Sequence, residues 1–393
     1  MNSSPRRPDI ATSCARPPAD VELSTTPLTP PIHLSVVYKI DGLDHVDALY
    51  EGRDSGFIYA RDGHPNAAQL GEKIATIEGA EAGLVCASGM AAEAAVFLAL
   101  LEQGGEVALS EGLYGRTVAL VGRELPRFGI KHRLFDSTRP ETLRKALTPA
   151  TKVIFAETLS NPLVRLADIA GLADIGRAAG VPFAIDHTFA PLLCRPLELG
   201  ADFVVHSATK LIGGHSDLTL GLVATSRERM ARVATVASTF GLAGNPFESW
   251  LALRGSATLP VRSARACATA LTLAGHLAGD KRVGAVHYPG LPSHPDHERA
   301  SRVLRGGFGT ILTIDLGGRE QADAFIRNAR EIPFAPSLGD VATTLSHPAT
   351  TSHRGQSAEQ WARQGITPGL VRLSVGLEHP DDLWHQIDQA LTS

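Results

Sequence analysis

From Asn66 onward, helical and extended patterns of apolar residues take turns along the chain. Leu70, Ile74 and Ile77 recur at the spacing of one helical face, and residues 84–87 then read as a short apolar strand. Further strand-like runs lie at 106–109, 132–135, 153–156, 183–185, 203–205 and 218–224, with helical segments between most of them. One such segment starts at Asp168, turns Ile169, Leu172 and Ile175 inward, and stops at Gly180 ahead of Pro182. Strands alternating with helices over about 180 residues predict an α/β fold built on a large, mostly parallel sheet covered on both faces. In such sheets ligands collect at the carboxyl ends of strands. After Arg227 the pattern changes: a helix at 261–277, strands at 309–316 and 370–375, and a last helix carrying Leu383, Ile387 and Leu391 predict a smaller C-terminal α+β domain. The first thirty or so residues are rich in Pro, Ser and Thr and close on Pro27, Pro30 and Pro31, which reads as an extended arm. The expected organisation is an N-terminal arm over 1–60, a large domain over 61–248 and a C-terminal domain over 249–393.

Composition narrows the function classes. The 393 residues, 44% of them apolar, suffice for a sizeable core. A net charge of −4 provides no basic field, so neither nucleic acid nor an anionic membrane is an expected partner. Cys14, Cys86, Cys194 and Cys267 are scattered without metal-type spacing and read as free thiols in a reducing compartment. No apolar run has the length of a membrane span, and residues 1–20 lack the apolar stretch of a secretion signal, so the expected location is cytoplasmic. His294-x-x-His297 has a metal-like spacing, but prolines interrupt the segment and no Cys or carboxylate cluster completes a site; a surface loop and no metal are expected.

Candidate chemistry gathers just after the predicted strands. Ala87-Ser88-Gly89-Met90 turns a strand into a helix, whose free N–H groups suit a phosphate, although a plain strand-helix turn has the same pattern. Tyr114 and Arg116 follow the strand at 106–109; the aromatic ring can stack on a flat cofactor or simply pack. Glu157 to Asn161 leaves the next strand with polar groups. Asp186 ends a strand that reads as buried, where a carboxylate is costly unless it caps a loop or meets a donor or cation, such as a protonated pyridine nitrogen. Ser207-Ala208-Thr209-Lys210 follows the strand at 203–205. Its lysine is either a solvated charge or an amine held for Schiff-base chemistry.

The order of these segments resembles the cysteine and methionine metabolism (transsulfuration) family of pyridoxal 5′-phosphate (PLP) enzymes: cystathionine synthases and lyases, methionine γ-lyase and O-acylhomoserine sulfhydrylases. Ser207-Ala208-Thr209-Lys210 followed by Gly214-His215-Ser216-Asp217 carries most of the likeness, with Tyr59-Ala60-Arg61-Asp62-Gly63, Asn245-Pro246-Phe247, Ser337-Leu338-Gly339-Asp340 and Val371-Arg372-Leu373-Ser374. The resemblance implies a fold-type I PLP transferase. It implies that Lys210 forms the Schiff base and then shuttles protons, that Asp186 pairs with the pyridinium nitrogen and that Tyr114 lies on the ring. It also implies that Ser88, Gly89, Met90, Ser207 and Thr209 hold the phosphate, with Asn161 and Thr188 beside the cofactor, and that Arg372, Ser337 and Asn161 receive the substrate. Tyr59 and Arg61 would reach the phosphate of a neighbouring subunit, making the active unit a homo-oligomer, at least a dimer and usually a tetramer. The implied activity is γ-replacement or γ-elimination on O-acylhomoserine, methionine, homocysteine or cystathionine, with β-elimination as an alternative.

Departures from the family pattern leave the branch open. Arg116 stands where members more often carry a small residue or a cysteine, and is expected either to meet an anionic distal group of the substrate or trim the space for it, or to point to solvent or to a neighbouring subunit. His187 replaces a common Asn, and Ala342 lies where enzymes handling cystathionine commonly have a glutamate. Two rival readings are weaker. The Ser207-x-x-Lys210 spelling also suits serine acylases, but their Ser-Asp-Asn and Lys-Thr-Gly boxes do not occur. A non-catalytic PLP-binding partner protein would not need Lys210, Asp186, Tyr114 and Arg372 together.

Overall fold

The computed structural model describes residues 10–15 and 24–392. Residues Met1–Pro31 form a unit of their own, in which the described part holds one short helix, Ile10–Ala15; residues 1–9 and 16–23 of the expected arm lie outside the described residues. The rest of the fold belongs to the unit Ile32–Ser393. Its first stretch is mainly irregular and is joined to itself by a bridge between Val37 and Tyr59. A helix at Leu43–Tyr50 buries none of its residues, and Leu34, Val36, Val37 and Tyr50 are all exposed.

Seven strands form the large sheet: β1 (Ala82–Cys86), β2 (Glu106–Ser110), β3 (Lys131–Phe135), β4 (Thr151–Glu157), β5 (Phe183–Asp186), β6 (Phe203–Ser207) and β7 (Gly221–Thr225). Their order is β1-β7-β6-β5-β4-β2-β3, and only β7 runs against its neighbours, so the sheet is mostly parallel as expected. Alternate residues along a strand face opposite ways. Ala108 of β2 and Ile154 of β4 therefore enter one buried cluster while Val107, Leu109, Val153 and Phe155 enter the other, which is why these strands are apolar throughout.

The smaller sheet is four-stranded and antiparallel, with the order β10-β11-β9-β8: β8 (Ala285–His287), β9 (Ile311–Asp315), β10 (Thr344–Ser346) and β11 (Leu370–Ser374). It has its own core around Leu312, Ile314, Val371 and Leu373, backed by the helices Arg319–Asn328 and Pro380–Thr392. The helix Leu259–Ala278 serves both parts of the fold. Leu259 and Cys267 belong to the large-sheet core, whereas Ala270, Leu273, Ala274 and Leu277 belong to that of the small sheet.

Two expectations change. The extended run at 218–224 is a strand only from Gly221, because Leu220 is turned aside: its N–H donates to Thr209 Oγ1 at 3.1 Å instead of to a strand neighbour. The segment with His294 and His297 is not a simple surface loop. His294 and Asp296 are buried, the ring of His294 lies against Leu163 O and the Asp296 N–H, and Asp296 pairs with Arg165 at 2.5 Å. Both imidazole nitrogens of His294 are thus used by backbone groups, and this segment clamps the loop that follows β4.

Candidate active site

Strand β1 ends at Cys86 and the chain turns through Ala87 and Ser88 into the helix Gly89–Leu100. Ser88 caps that helix, its Oγ accepting the Ala91 N–H at 3.0 Å. Gly89 packs so closely on the end of β6 that a Cβ there would lie 2.8 Å from the Ser207 Cβ. The amino end of the helix, with its partial positive charge, therefore sits beside Ser207 and faces the cavity described below.

The other parallel strands deliver their residues to the same edge. Beyond β2, Tyr114 opens the helix Gly115–Ala119, and its N–H donates to Glu157 Oε1 at the end of β4 at 2.6 Å. Asp186 closes β5 and accepts the Thr188 N–H at 2.8 Å, while Thr188 Oγ1 accepts the Ser207 N–H at 2.8 Å. Past β6, Lys210 points its Nζ to Ser337 Oγ at 3.1 Å. From the small sheet, Arg372 of β11 reaches over with Nη1 donating to Asn161 Oδ1 at 2.9 Å and Nη2 to Ser337 O at 3.0 Å. Its Nε is buried without a partner, leaving one donor of a planar fork to meet an acceptor.

These groups line one cavity of about 660 Å³. Ser88, Gly89, Met90, Tyr114, Arg116, Asn161, Asp186, Thr188, Ser207, Thr209, Lys210, Ser337 and Arg372 all face it. Tyr59 and Arg61 do not: both are exposed, with the Arg61 guanidinium 5.0 Å over the Tyr59 ring. His187 stands behind the site, its ring held between Thr158 Oγ1 and Cys194 O, and burial pushes its pKa down to about 4. Its imidazole is neutral packing next to Asp186. Three ionisable lining residues have no role from the sequence: Glu93, Glu157 and Arg354. Glu93 had a readable signal, since it lies one helical turn after Gly89 and is the only charged residue of an otherwise apolar helix.

The electrostatics suit an amine and a carboxylate kept for chemistry. Burial, and secondarily the Arg372 charge, lower the pKa of Lys210, so that a larger share of it is the free amine. Burial pushes the Asp186 carboxyl up, and a cation placed against it offsets that cost. The guanidinium of Arg372 is lowered to about 10 by burial, with Tyr114 and Glu157 acting the other way. PLP matches this set: an aldehyde for Lys210, a ring nitrogen that gains a proton for Asp186, and a phosphate for the helix start at Ser88–Met90 with the hydroxyls of Ser207 and Thr209.

A lysine amine, a buried carboxylate and a phosphate-ready helix end, set along the carboxyl edge of one α/β sheet, define an enzyme of the PLP-dependent class. Residues 11–392 match the family described as Cys/Met metabolism PLP-dependent enzyme. The L-methionine gamma-lyase of Pseudomonas putida is 38% identical over 394 residues, covering 100% of this chain and 99% of that protein. The O-succinylhomoserine sulfhydrylase of Pseudomonas aeruginosa is 42% identical over 338 residues, 86% of this chain and 84% of that protein. Among solved structures, cystathionine gamma synthase from Xanthomonas oryzae pv. oryzae in complex with aminoacrylate and cysteine superposes with a TM-score of 0.88 at 35% identity, over 93% of each chain. The chain belongs to the Cys/Met metabolism family of PLP-dependent enzymes.

Proposed function

We propose that this enzyme carries out γ-replacement on an O-acylhomoserine whose acyl group ends in a carboxylate, with sulfide or a thiol as the incoming nucleophile. The observation that carries this reading is a pair of arginines, Arg116 and Arg354, which line the cavity as exposed side chains. Neither has an ion-pair partner among the described residues, so two cations are free to receive a distal carboxylate. The similarity to an O-succinylhomoserine sulfhydrylase points the same way. γ-Elimination on methionine is the second reading, favoured by the full-length similarity to a methionine gamma-lyase.

The proposed roles follow from placement. When bound, PLP supplies an electron sink for the charge left at the substrate Cα. Asp186 holds the ring nitrogen protonated, Tyr114 covers the ring, and Ser88, Gly89, Met90, Ser207 and Thr209 hold the phosphate, with Thr188 bracing Asp186 and Ser207. Arg372 takes the substrate α-carboxylate on its free Nε and a neighbouring Nη, and Asn161 and Ser337 fix the guanidinium for that contact. Lys210 lifts the proton from Cα and moves it onward, a task for which a depressed pKa is suited. Removal of a Cβ proton by the same lysine supplies the electron pair that expels the γ-substituent as a carboxylate, and the incoming thiol then adds at Cγ. We assign Tyr59 and Arg61 to the phosphate of a neighbouring subunit, so that the N-terminal stretch reaches out of one protomer and the enzyme works as a homo-oligomer; that they do not line this chain's own cavity and are exposed supports that role. The buried thiols Cys86, Cys194 and Cys267 are compatible with a reducing, cytoplasmic setting.

A substrate panel tests the reaction. O-Succinylhomoserine and O-acetylhomoserine would be assayed with sulfide and with cysteine, against methionine and cystathionine without thiol. The succinyl ester should exceed the acetyl ester in kcat/KM by roughly tenfold or more, the scale of one charge-assisted contact. Arg116→Gly and Arg354→Ala should each shrink that ratio. Fastest release of a 2-oxo acid from methionine, or a ratio unmoved in both variants, would sink the proposal.

A further inference from the structure

Glu93 is a buried carboxyl of the cavity wall that the chemistry above leaves without a task. It lies on the helix Gly89–Leu100, is 2% exposed, and faces the cavity beside the cofactor residues. Its Oε1 accepts a hydrogen bond from Thr117 Oγ1 at 2.9 Å, tying it to the short helix that Tyr114 opens. Its Oε2 is buried without a hydrogen-bond partner among the described residues. Asp186 lines the same cavity, and the two carboxyls bear directly on each other. Two ionised carboxylates cannot share so dry a place, and a bond between them requires one proton.

We propose that Glu93 is held as the neutral acid and donates the proton on Oε2 to Asp186, so that the pair presents a single negative charge to the cofactor's ring nitrogen. Glu93 is the member that keeps the proton because of what surrounds each carboxyl. Asp186 accepts the Thr188 N–H, and His206 at the end of β6 favours its anionic form. Glu93 has one neutral hydroxyl for a partner, and the groups that bear on it from β5 and β4, Asp186 and Glu157, are both acidic. Burial together with those two carboxyls pushes Glu93 well above the usual carboxylate range. Glu93 is thus a positioning residue that acts through Asp186: it fixes the orientation of that carboxylate and spreads its charge. It rests on the PLP assignment alone and holds for either substrate reading.

Glu93→Gln keeps a neutral donor, whereas Glu93→Leu removes it at similar volume, so the two variants separate proton donation from packing. In the wild-type holoenzyme at neutral pH, infrared spectroscopy should show a buried carboxylic-acid carbonyl band that Glu93→Gln abolishes. PLP release from the holoenzyme on dilution should be nearly unchanged in Glu93→Gln and roughly tenfold easier in Glu93→Leu, the loss of one bond to a charged acceptor. In Glu93→Leu the pH at which the visible absorbance of the cofactor titrates should also move, while in Glu93→Gln it stays. If Glu93→Leu does not fold, the infrared comparison of wild type with Glu93→Gln decides alone. Wild-type protein without the band, a band that survives in Glu93→Gln, equal PLP retention in all three proteins, or equal losses in both variants overturns the proposal.

Discussion

At the scale of single residues, the site depends on groups whose geometry is set by a partner from another strand. Arg372 is the clearest case, because Asn161 on the large-sheet side and Ser337 on the small-sheet side both grip it and leave Nε free. Arg372→Lys preserves the charge and loses the planar fork, so kcat/KM should fall by roughly a hundredfold, read by steady-state kinetics, with PLP retention unchanged. Equal kcat/KM would show that charge alone suffices. Lys210 and Asp186 were legible as candidates because one follows and the other closes a run that reads as a strand, whereas Arg372 was reached only through the family resemblance carried by Val371-Arg372-Leu373-Ser374. Glu93 was passed over for a physical reason: a glutamate on a helix is ordinarily solvated, and only the apolar surroundings of residues 89–100 mark this one as buried. Arg354 was hidden differently. It comes from an irregular segment after β10, far along the chain from the residues it faces, and no periodicity predicts such a meeting.

At the scale of elements, the site hangs on a crowded junction of three strands. A Cβ on Gly221 at the start of β7 would lie 2.0 Å from Ser88 O, which the turn after β1 cannot vacate without shifting the start of its helix. Gly221→Ala should therefore weaken PLP binding more than it weakens the fold, a difference read by comparing PLP titration with thermal melting. A large Tm loss with intact PLP affinity would contradict this. Most strands of the large sheet were readable because they are apolar on both faces, as strands covered from both sides must be. Strands β8 and β10 were not, since three residues are too few to establish a period. The strand expected from residue 218 starts later, because the Thr209 side chain competes for the backbone of Leu220, a contact between segments eleven positions apart.

At the scale of the whole molecule, buried ionisable groups tie stability to pH. His187, His294 and His353 are all buried, and burial lowers each from 6.5 to about 4. The unfolded chain binds more protons than the fold between those values, so stability is full above about pH 6.5 and is lost as the pH falls toward 4. Each group contributes up to about 3 kcal/mol to that loss. Denaturant melts across this window should show the decline, and His187→Asn should flatten it; a flat profile in the wild type would refute the link. The mostly parallel sheet and the later α+β part were both legible from the alternation of periods. How tightly the two are joined was not, because the helix Leu259–Ala278 looks like any amphipathic helix until its two halves are seen in different cores. That shared helix also bears on how such enzymes diversify. With Lys210 carried by the large sheet, Arg372 by the small one and this helix packed into both cores, mutations that repack the helix would disturb every reaction the fold supports. New substrate preferences are easier to acquire on the loops that carry Arg116 and Arg354, where a few exchanges leave the inherited chemistry intact.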